Sequence, residues 1–329
     1  MRTTFARSIF RLIQLIILIV LLPFAVAGYI IFVVKLVIHS RRTGTSATVL
    51  ASLYTRYMQH KLGTRHDDAA ERLLLAMPSV SPLALHLVTA PTLVSHRVTG
   101  HVPKIYRYPY PGTPTMQHQS AARTTYYDAA LQQHLPDIKQ FVMLGAGFDT
   151  RAYRLSKDTH VRCFEVDTPQ TQAFKREMLR QADIDTAGVI YVPTSFQEND
   201  WFEKLLVAGF DPNKPSLFTW ESVTMYLDQE AVERTLRTIA GTAAGTVVAF
   251  DYFAAELVTS PSPFMRYARA VIKLTGEPFR FGIDNTRPVR ERVAEFLASC
   301  GLVLEEQRNF GVETAHQRAM AGFATARVP

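Results

Sequence analysis

The stretch QFVMLGAGFDTRAYRL, Gln140 to Leu155, decides how this chain is read. Phe141, Val142, Met143 and Leu144 form a short apolar run of the kind that fills a buried parallel strand. Gly145-Ala146-Gly147 ends it, and two glycines permit a tight turn with close backbone approach to a ligand. Asp149 and Thr150 are good N-cap residues, so a helix is expected to follow. Downstream, CFEVD (Cys163 to Asp167) reads as a second strand. It ends in an acid about twenty residues past the glycines, where a ribose-binding carboxylate belongs.

The spacing also narrows the cofactor. A dinucleotide fingerprint needs a third glycine at position 150, where Thr150 stands. A Walker loop needs Gly-Lys-Ser/Thr, which is missing from this context. A two-glycine turn with an acid after the next strand suits a cofactor that has a ribose and no phosphates, as S-adenosylmethionine does. A plain strand-to-helix turn is the alternative, and a nicotinamide dehydrogenase is disfavoured by Thr150.

LGAGFDTRAYRL followed by FEVDTPQTQAFK resembles the leucine carboxyl methyltransferase family. That family includes protein-phosphatase carboxyl methyltransferases and bacterial polyketide O-methyltransferases. Three further blocks agree in order: ARTTYYDAAL (122–131) with the family's Arg-Thr-x-x-x-Asp helix, FTWESVTMYL (218–227) with its Trp-Glu-Gly-x-x-x-Tyr-Leu block, and GEPFRFGI (276–283) with its late Gly-Glu-Pro segment. The likeness runs from about Asp67 to Val328. It implies an α/β fold, a class I methyltransferase Rossmann-like seven-stranded sheet, with S-adenosyl-L-methionine as cofactor. Strands are expected near 140–144, 161–166, 189–194, 216–220, 246–252, 302–310 and 318–326.

The resemblance also assigns residues. Arg123 would reach the methionine carboxylate, for which a guanidinium is geometrically suited; a solvated arginine is the alternative. Gly145, Ala146 and Gly147, with Asp149 beside them, would line the methionine end, and Asp167 would accept from the ribose hydroxyls. Glu165 shares the parity of Asp167 but lies deeper, as a ligand contact or a structural ion pair. Where the family carries Asp-Phe or Asp-Leu after the third strand, near the adenine amino group, this chain has Ser195-Phe196. Losing that charge would cost about 1–2 kcal/mol of cofactor affinity, unless Asp200 compensates. Glu221 would face the cofactor's ammonium group or the acceptor, Ser222 replaces the usual glycine, and Tyr226 is either an acceptor contact or a half-buried helical tyrosine. Glu221 and Tyr226 are the candidate catalytic residues.

Methyl transfer from a sulfonium is an in-line displacement that rests on alignment. A carboxylate acceptor needs no general base, whereas a phenol does. The absence of a His-Asp pair inside the matched blocks leans toward a carboxylate. The expected activity is therefore O-methylation of a small polyketide-like or lipidic acceptor. A non-catalytic binding module that kept the fold is the alternative, motivated by Ser195 and Ser222. No Asn/Asp-Pro-Pro-Tyr/Phe motif occurs, so a nucleic-acid substrate is not expected. The ten histidines show no metal spacing, and the two cysteines, Cys163 and Cys300, form no disulfide framework.

The front of the chain speaks to location. Leu12 to Val34 is almost unbrokenly apolar, with Gln14 its one strongly polar residue and Pro23 and Gly28 tolerable within it. Arg2, Arg7 and Arg11 precede it; Lys35, Arg41 and Arg42 follow. The flanks tie, but Arg56, Lys61 and Arg65 further on favour a cytoplasmic catalytic domain, as does a cytosolic cofactor. One transmembrane anchor is therefore expected. A signal peptide cleaved after Ala25-Val26-Ala27 is the rival, weakened because the apolar run continues through Tyr29 to Val34. Residues 1–107 carry 13 basic and 3 acidic side chains; on a whole-chain charge of +7, the remainder is net negative by 3. The basic balance thus belongs to the anchor region and suits an anionic leaflet rather than nucleic acid. The chain divides into an anchor (1–40), a helical cap with the proline-rich loop YRYPYPGTPT (41–115), and the methyltransferase domain (116–329). A linker is expected near Ser40–Ser46, and Ala69, Leu73, Leu74 and Met77 form a helical core stripe.

Overall fold

The computed structural model describes residues 2–43, 48–155, 159–196, 200–259, 266, 279–286, 288–311 and 318–329. Gly276 to Pro278 of the late Gly-Glu-Pro block, and residues 44–46 of the expected linker, lie outside these residues. The chain divides into two compact units, Met1–Tyr110 with Glu177–Ile184, and Pro111–Arg176 with Asp185–Pro329. The change of unit at residue 110 falls inside the proline-rich loop.

The first unit is helical: α1 (Arg2–Thr43), α2 (Thr48–Lys61), α3 (Asp68–Ala76) and α4 (Pro82–Thr99). α1 runs through the start of the expected linker. Its segment Phe10–Lys35 runs 26 residues and holds a stretch of mean hydropathy 2.9, long and apolar enough to cross a membrane, a property that signal sequences share. Asp67 caps α3 by accepting from Ala70 N, and Ala69, Leu73, Leu74 and Met77 are all buried, as their spacing predicts. α4 is capped by Ser81, starts on Pro82 and stops at Gly100 in the left-handed conformation.

The second unit runs α5 (Gln119–His134), β1 (Gln140–Leu144), β2 (Arg162–Asp167), α6 (Pro169–Gln181, whose end belongs to the first unit), β3 (Val189–Pro193), α7 (Trp201–Val207), β4 (Ser216–Trp220), α8 (Gln229–Ala240), β5 (Val247–Phe253), α9 (Ala255–Thr259), α10 (Val289–Ser299), β6 (Val303–Phe310) and β7 (Ala321–Arg327). All seven expected strands form, each within three residues of its expected ends. They make one sheet of order β3-β2-β1-β4-β5-β7-β6, in which β7 pairs antiparallel with both β5 and β6 and the rest are parallel. This mixed seven-stranded sheet with its helices is an α/β methyltransferase fold.

The parallel strands are apolar throughout because both faces are covered. Val142, Leu144, Phe164, Phe218, Trp220, Val248 and Phe250 pack with Leu205 of α7, Leu236 of α8 and Leu297 of α10. The alternate residues, Phe141, Met143, Cys163, Leu217 and Val247, pack with Leu131 of α5. By the two-residue period of a strand, Asp251 shares the side of Val247, the side that α5 covers. Strand order also fixes where a ligand belongs. From β1 the chain proceeds outward to β2 and β3, then returns to β4 on the other side, so the crevice beyond the carboxyl ends of β1 and β4 is the topological switch point.

One expectation fails at that crevice. Among the described residues between the glycines and β2 there is no α-helix: Asp149 and Thr150 lead into a single 3-10 turn, Ala152–Arg154. Asp149 still accepts from the backbone N–H two residues on, at Arg151. The Arg151 backbone is helical (φ −61°, ψ −42°) while its side chain turns inward to three carboxylates, and the segment turns extended at Leu155. Tyr226 likewise sits on a 3-10 turn, Thr224–Tyr226, rather than on a longer helix.

Phe250, fully buried in the middle of β5, anchors the larger face. Replacing it, Phe250→Ala, is expected to lower unfolding free energy by about 3–5 kcal/mol, measurable as a lower denaturant midpoint at unchanged slope.

Candidate active site

The glycine turn is held from two sides. Gly145 N and Ala146 N both donate to Val166 O, at 2.8 and 3.2 Å, folding the turn over the end of β2. Gly147 N donates to Asp167 Oδ2 at 2.7 Å, and Thr168 N to Asp167 Oδ1 at 2.6 Å. Gly145 has φ +65°, and a Cβ there would lie 2.4 Å from Val223 Cγ2. Only glycine meets both demands. Burial raises the Asp167 pKa, and the Gly147 and Thr168 N–H groups work the other way.

Beside the turn lies a buried ionic network that motif reading did not assemble. Arg151 is fully buried; its Nε donates to Asp128 Oδ1 at 2.7 Å and its Nη1 to Glu221 Oε2 at 2.6 Å and to Asp149 Oδ2. Its guanidinium sits 5.4 Å from the Tyr127 ring centroid. Burial opposes its charge, but Asp149, Glu221 and Asp128 more than offset that, so its pKa is raised. Nη2 of Arg151 is buried with no partner among the described residues.

Arg123 makes the second pair. Its Nε and Nη2 donate to Asp251 Oδ2 at 3.0 and 2.7 Å, and its Nη1 is not engaged by that carboxylate. It is buried and paired rather than solvated on its helix. Asp251 Oδ1 accepts from Tyr127 OH at 2.9 Å and from Ser222 N at 2.6 Å. Burial, then the charges of Asp251 and Glu221, push the Tyr127 hydroxyl well above its ordinary pKa, so it acts as a donor. α5 therefore sends Arg123, Tyr127 and Asp128 to the ends of β4 and β5 and to the glycine turn. Five carboxylates (Asp128, Asp149, Asp167, Glu221, Asp251) stand here against the guanidiniums of Arg123, Arg151 and the more exposed Arg154. The acids are in excess.

Under the turn, Glu165 is completely buried and is an ion-pair partner: Lys175 Nζ donates to its Oε1 at 2.7 Å and Tyr153 OH at 2.8 Å. Lys175 also donates to Asp149 O at 2.9 Å, binding the turn to α6. Phe196 is buried in the core, its ring 5.9 Å from both Trp201 and Trp220. Ser195 beside it is half-buried. Asp200 is committed to Lys204 at 2.8 Å and accepts from Thr194 Oγ1 at 3.2 Å. The described part of the late block closes the other side: Arg280 N donates to Met225 O, and Phe279 lies 4.7 Å from Phe253 and 5.9 Å from Tyr226. Ser222 occupies φ +61°, a left-handed conformation natural to the glycine it replaces, and its buried hydroxyl has no partner among the described residues.

Thus Gly145, Ala146, Gly147, Asp149, Asp167 and Glu221 gather at the switch point, with Arg123 joined to it through Asp251 and Tyr127. The residues missed were Arg151, Tyr127, Asp128 as a ligand of Arg151, and Asp251. Asp251 had a legible signal: it is the one acid inside the apolar strand VVAFDYF, and such a group demands a cation.

Comparison with known proteins agrees with the motifs. The leucine carboxyl methyltransferase family model matches residues 78–240. A Frankia alni protein named as a candidate S-adenosyl-L-methionine-dependent methyltransferase is 36% identical over 124 residues, 37% of this chain and 43% of that protein. A like-named protein of Mycolicibacterium paratuberculosis is 31% identical over 207 residues, 61% of this chain and 65% of its own. The matched stretches thus span less than two thirds of these relatives. A crystal structure of a DUF574 family protein from Streptomyces avermitilis is 16% identical, with a TM-score of 0.48, covering 87% of this chain and 99% of that one. The match to the leucine carboxyl methyltransferase model thus takes in just under half of this chain.

Two stability measurements follow from the geometry. Arg151→Met strands three carboxylates and is expected to cost about 3–5 kcal/mol. Ser222→Gly relieves the left-handed backbone and is expected to add about 1 kcal/mol in the same denaturation assay.

Proposed function

We propose that this chain is a member of the leucine carboxyl methyltransferase family and an S-adenosylmethionine-dependent O-methyltransferase of small molecules. The observation that carries this reading is the hydrogen bond from Gly147 N–H to Asp167, which sets the glycine turn and the acid of β2 on one crevice at the switch point. Asp167 still has lone pairs for ribose hydroxyls, since a carboxylate accepts up to about four bonds. The excess of carboxylates around Arg151 and Arg123 suits a ligand that carries an ammonium and a sulfonium. Arg123 Nη1, and Arg151 Nη2 as an unspent buried donor, suit its carboxylate. Ser195 would serve the adenine edge without charge.

When bound, the cofactor supplies an electrophilic methyl group on a cationic sulfur. The chain's work is then alignment of an acceptor oxygen behind that methyl group. Glu221 and Tyr226 stand on the β4 side of the crevice for this purpose, with Glu221 held in place by Arg151. A carboxylate acceptor asks for no proton transfer, and Tyr127, held protonated by Asp251, does not serve as a base for a phenol. These features favour a carboxylate, with a phenolic oxygen next, on a polyketide-like or lipidic metabolite. The apolar segment of α1 between basic flanks supports a membrane location, with the catalytic unit on the cytoplasmic side where the cofactor is made.

Asp167→Asn tests the reading. Because burial raises the Asp167 pKa, its contribution to stability is full below the unfolded carboxyl pKa and is lost as pH rises through the raised value. The neutral amide removes the buried charge but gives up one of the two N–H bonds that Asp167 accepts, so the variant's fold is verified by denaturation before titration. Calorimetric titration of the full chain in detergent is expected to show S-adenosylmethionine binding weakened about tenfold to a hundredfold in this variant. Equal binding by both proteins, or none by the folded parent, would sink the proposal.

A further inference from the structure

The two residues that look out of place in the apolar run of α1 both face α4. Gln14 Nε2 donates to Thr99 Oγ1 at 3.1 Å. A Cβ added to Gly28 would lie 2.7 Å from Leu87 Cβ and 2.8 Å from the Ala84 carbonyl oxygen, so the backbones meet there. The first contact joins the start of the apolar run to the end of α4, the second its later part to the start of α4. The helices are therefore antiparallel, and a seam from residue 14 to 28 is about 21 Å long at 1.5 Å per residue. Along it, Gln14, Ile17, Leu21, Ala25, Gly28 and Phe32 are half-buried or buried, while Leu15, Ile19, Leu22 and Ile30 between them are exposed.

A small residue that lets backbones touch and a polar pair across the seam are the devices by which helices associate in lipid. α4 is itself suited to that solvent. Between Pro82 and Ser95 its only ionisable residue is His86. Thr89 and Thr99 return their hydroxyls to carbonyls four residues back, Leu85 O and Ser95 O, as hydroxyls in apolar surroundings must. Leu83 and Val98 are 65% and 53% exposed. Arg97, two residues from Thr99, is at the same end of the seam as Arg11, a cationic end that complements anionic headgroups.

We propose that α4 enters the bilayer together with α1, so that the membrane element is a packed helix pair whose lipid-facing surface includes Leu83 and Val98. This rests on the membrane reading above, and cleavage after Ala27 would strip one wall from the seam. The test uses the full chain in phosphatidylglycerol-containing vesicles whose acyl chains are brominated. Ile19→Trp and Leu83→Trp are compared with the parent, whose Trp201 and Trp220 are buried and give the background. Comparable quenching of both added indoles is expected. Quenching of Ile19→Trp alone would overturn the pair and leave a lone anchor; quenching of neither would overturn the membrane reading as well. In the same vesicles the double variant Gln14→Cys, Thr99→Cys should form an intramolecular disulfide on mild oxidation, Cys163 and Cys300 being buried. Failure to cross-link while α1 is quenched would show that the seam does not persist in lipid and would also overturn the pair.

Discussion

The fully buried guanidinium of Arg151 is the constraint on which the crevice depends. It ties Asp128 on α5, Asp149 in the glycine turn and Glu221 beyond β4, three segments that are distant in sequence. A charge taken out of water must be met by opposite charge at close range, so once Arg151 is inside, the three carboxylates have little freedom. Asp251 repeats the logic one strand further on, holding Arg123, Tyr127 and the backbone of Ser222. The two networks are built largely from α5, which turns a covering helix into the framework of the site.

Much of the fold was legible in the sequence because the sheet is buried on both faces. Runs such as QFVML, SLFTW and VVAFDYF admit few other readings, and the acid after CFEV marks where β2 ends. The site was legible only where chemistry and strand geometry coincide, at Gly145, Gly147 and Asp167. Arg151 stands inside the glycine-turn segment but carries no motif signal, because a motif shows spacing along the chain, whereas its partners arrive from 23 residues before and 70 after. Phe196 shows the converse: its place next to Ser195 suggests a ligand contact, but its ring belongs to the aromatic cluster with Trp201 and Trp220.

The departures from the family pattern acquire distinct physical meanings. Ser222 keeps the backbone conformation of the glycine it replaces and bears the strain locally, with its N–H used on Asp251. Ser195 removes a charge without disturbing the core, because the packing there is carried by Phe196. Asp200, the acid expected to compensate, is engaged with Lys204 and Thr194.

The contact between Gly145 and Val223 has an evolutionary consequence. The valine methyl occupies the volume where a side chain at position 145 would begin. Position 145 cannot then change alone: enlarging it requires both a smaller residue at 223 and a new backbone path for the turn, whereas 223 can shrink without touching the glycine. The constraint runs one way between two segments separated by almost eighty positions. The turn is in that sense protected by its neighbour, and diversification among relatives is steered toward the parts of the crevice rim that are not locked by such a pair.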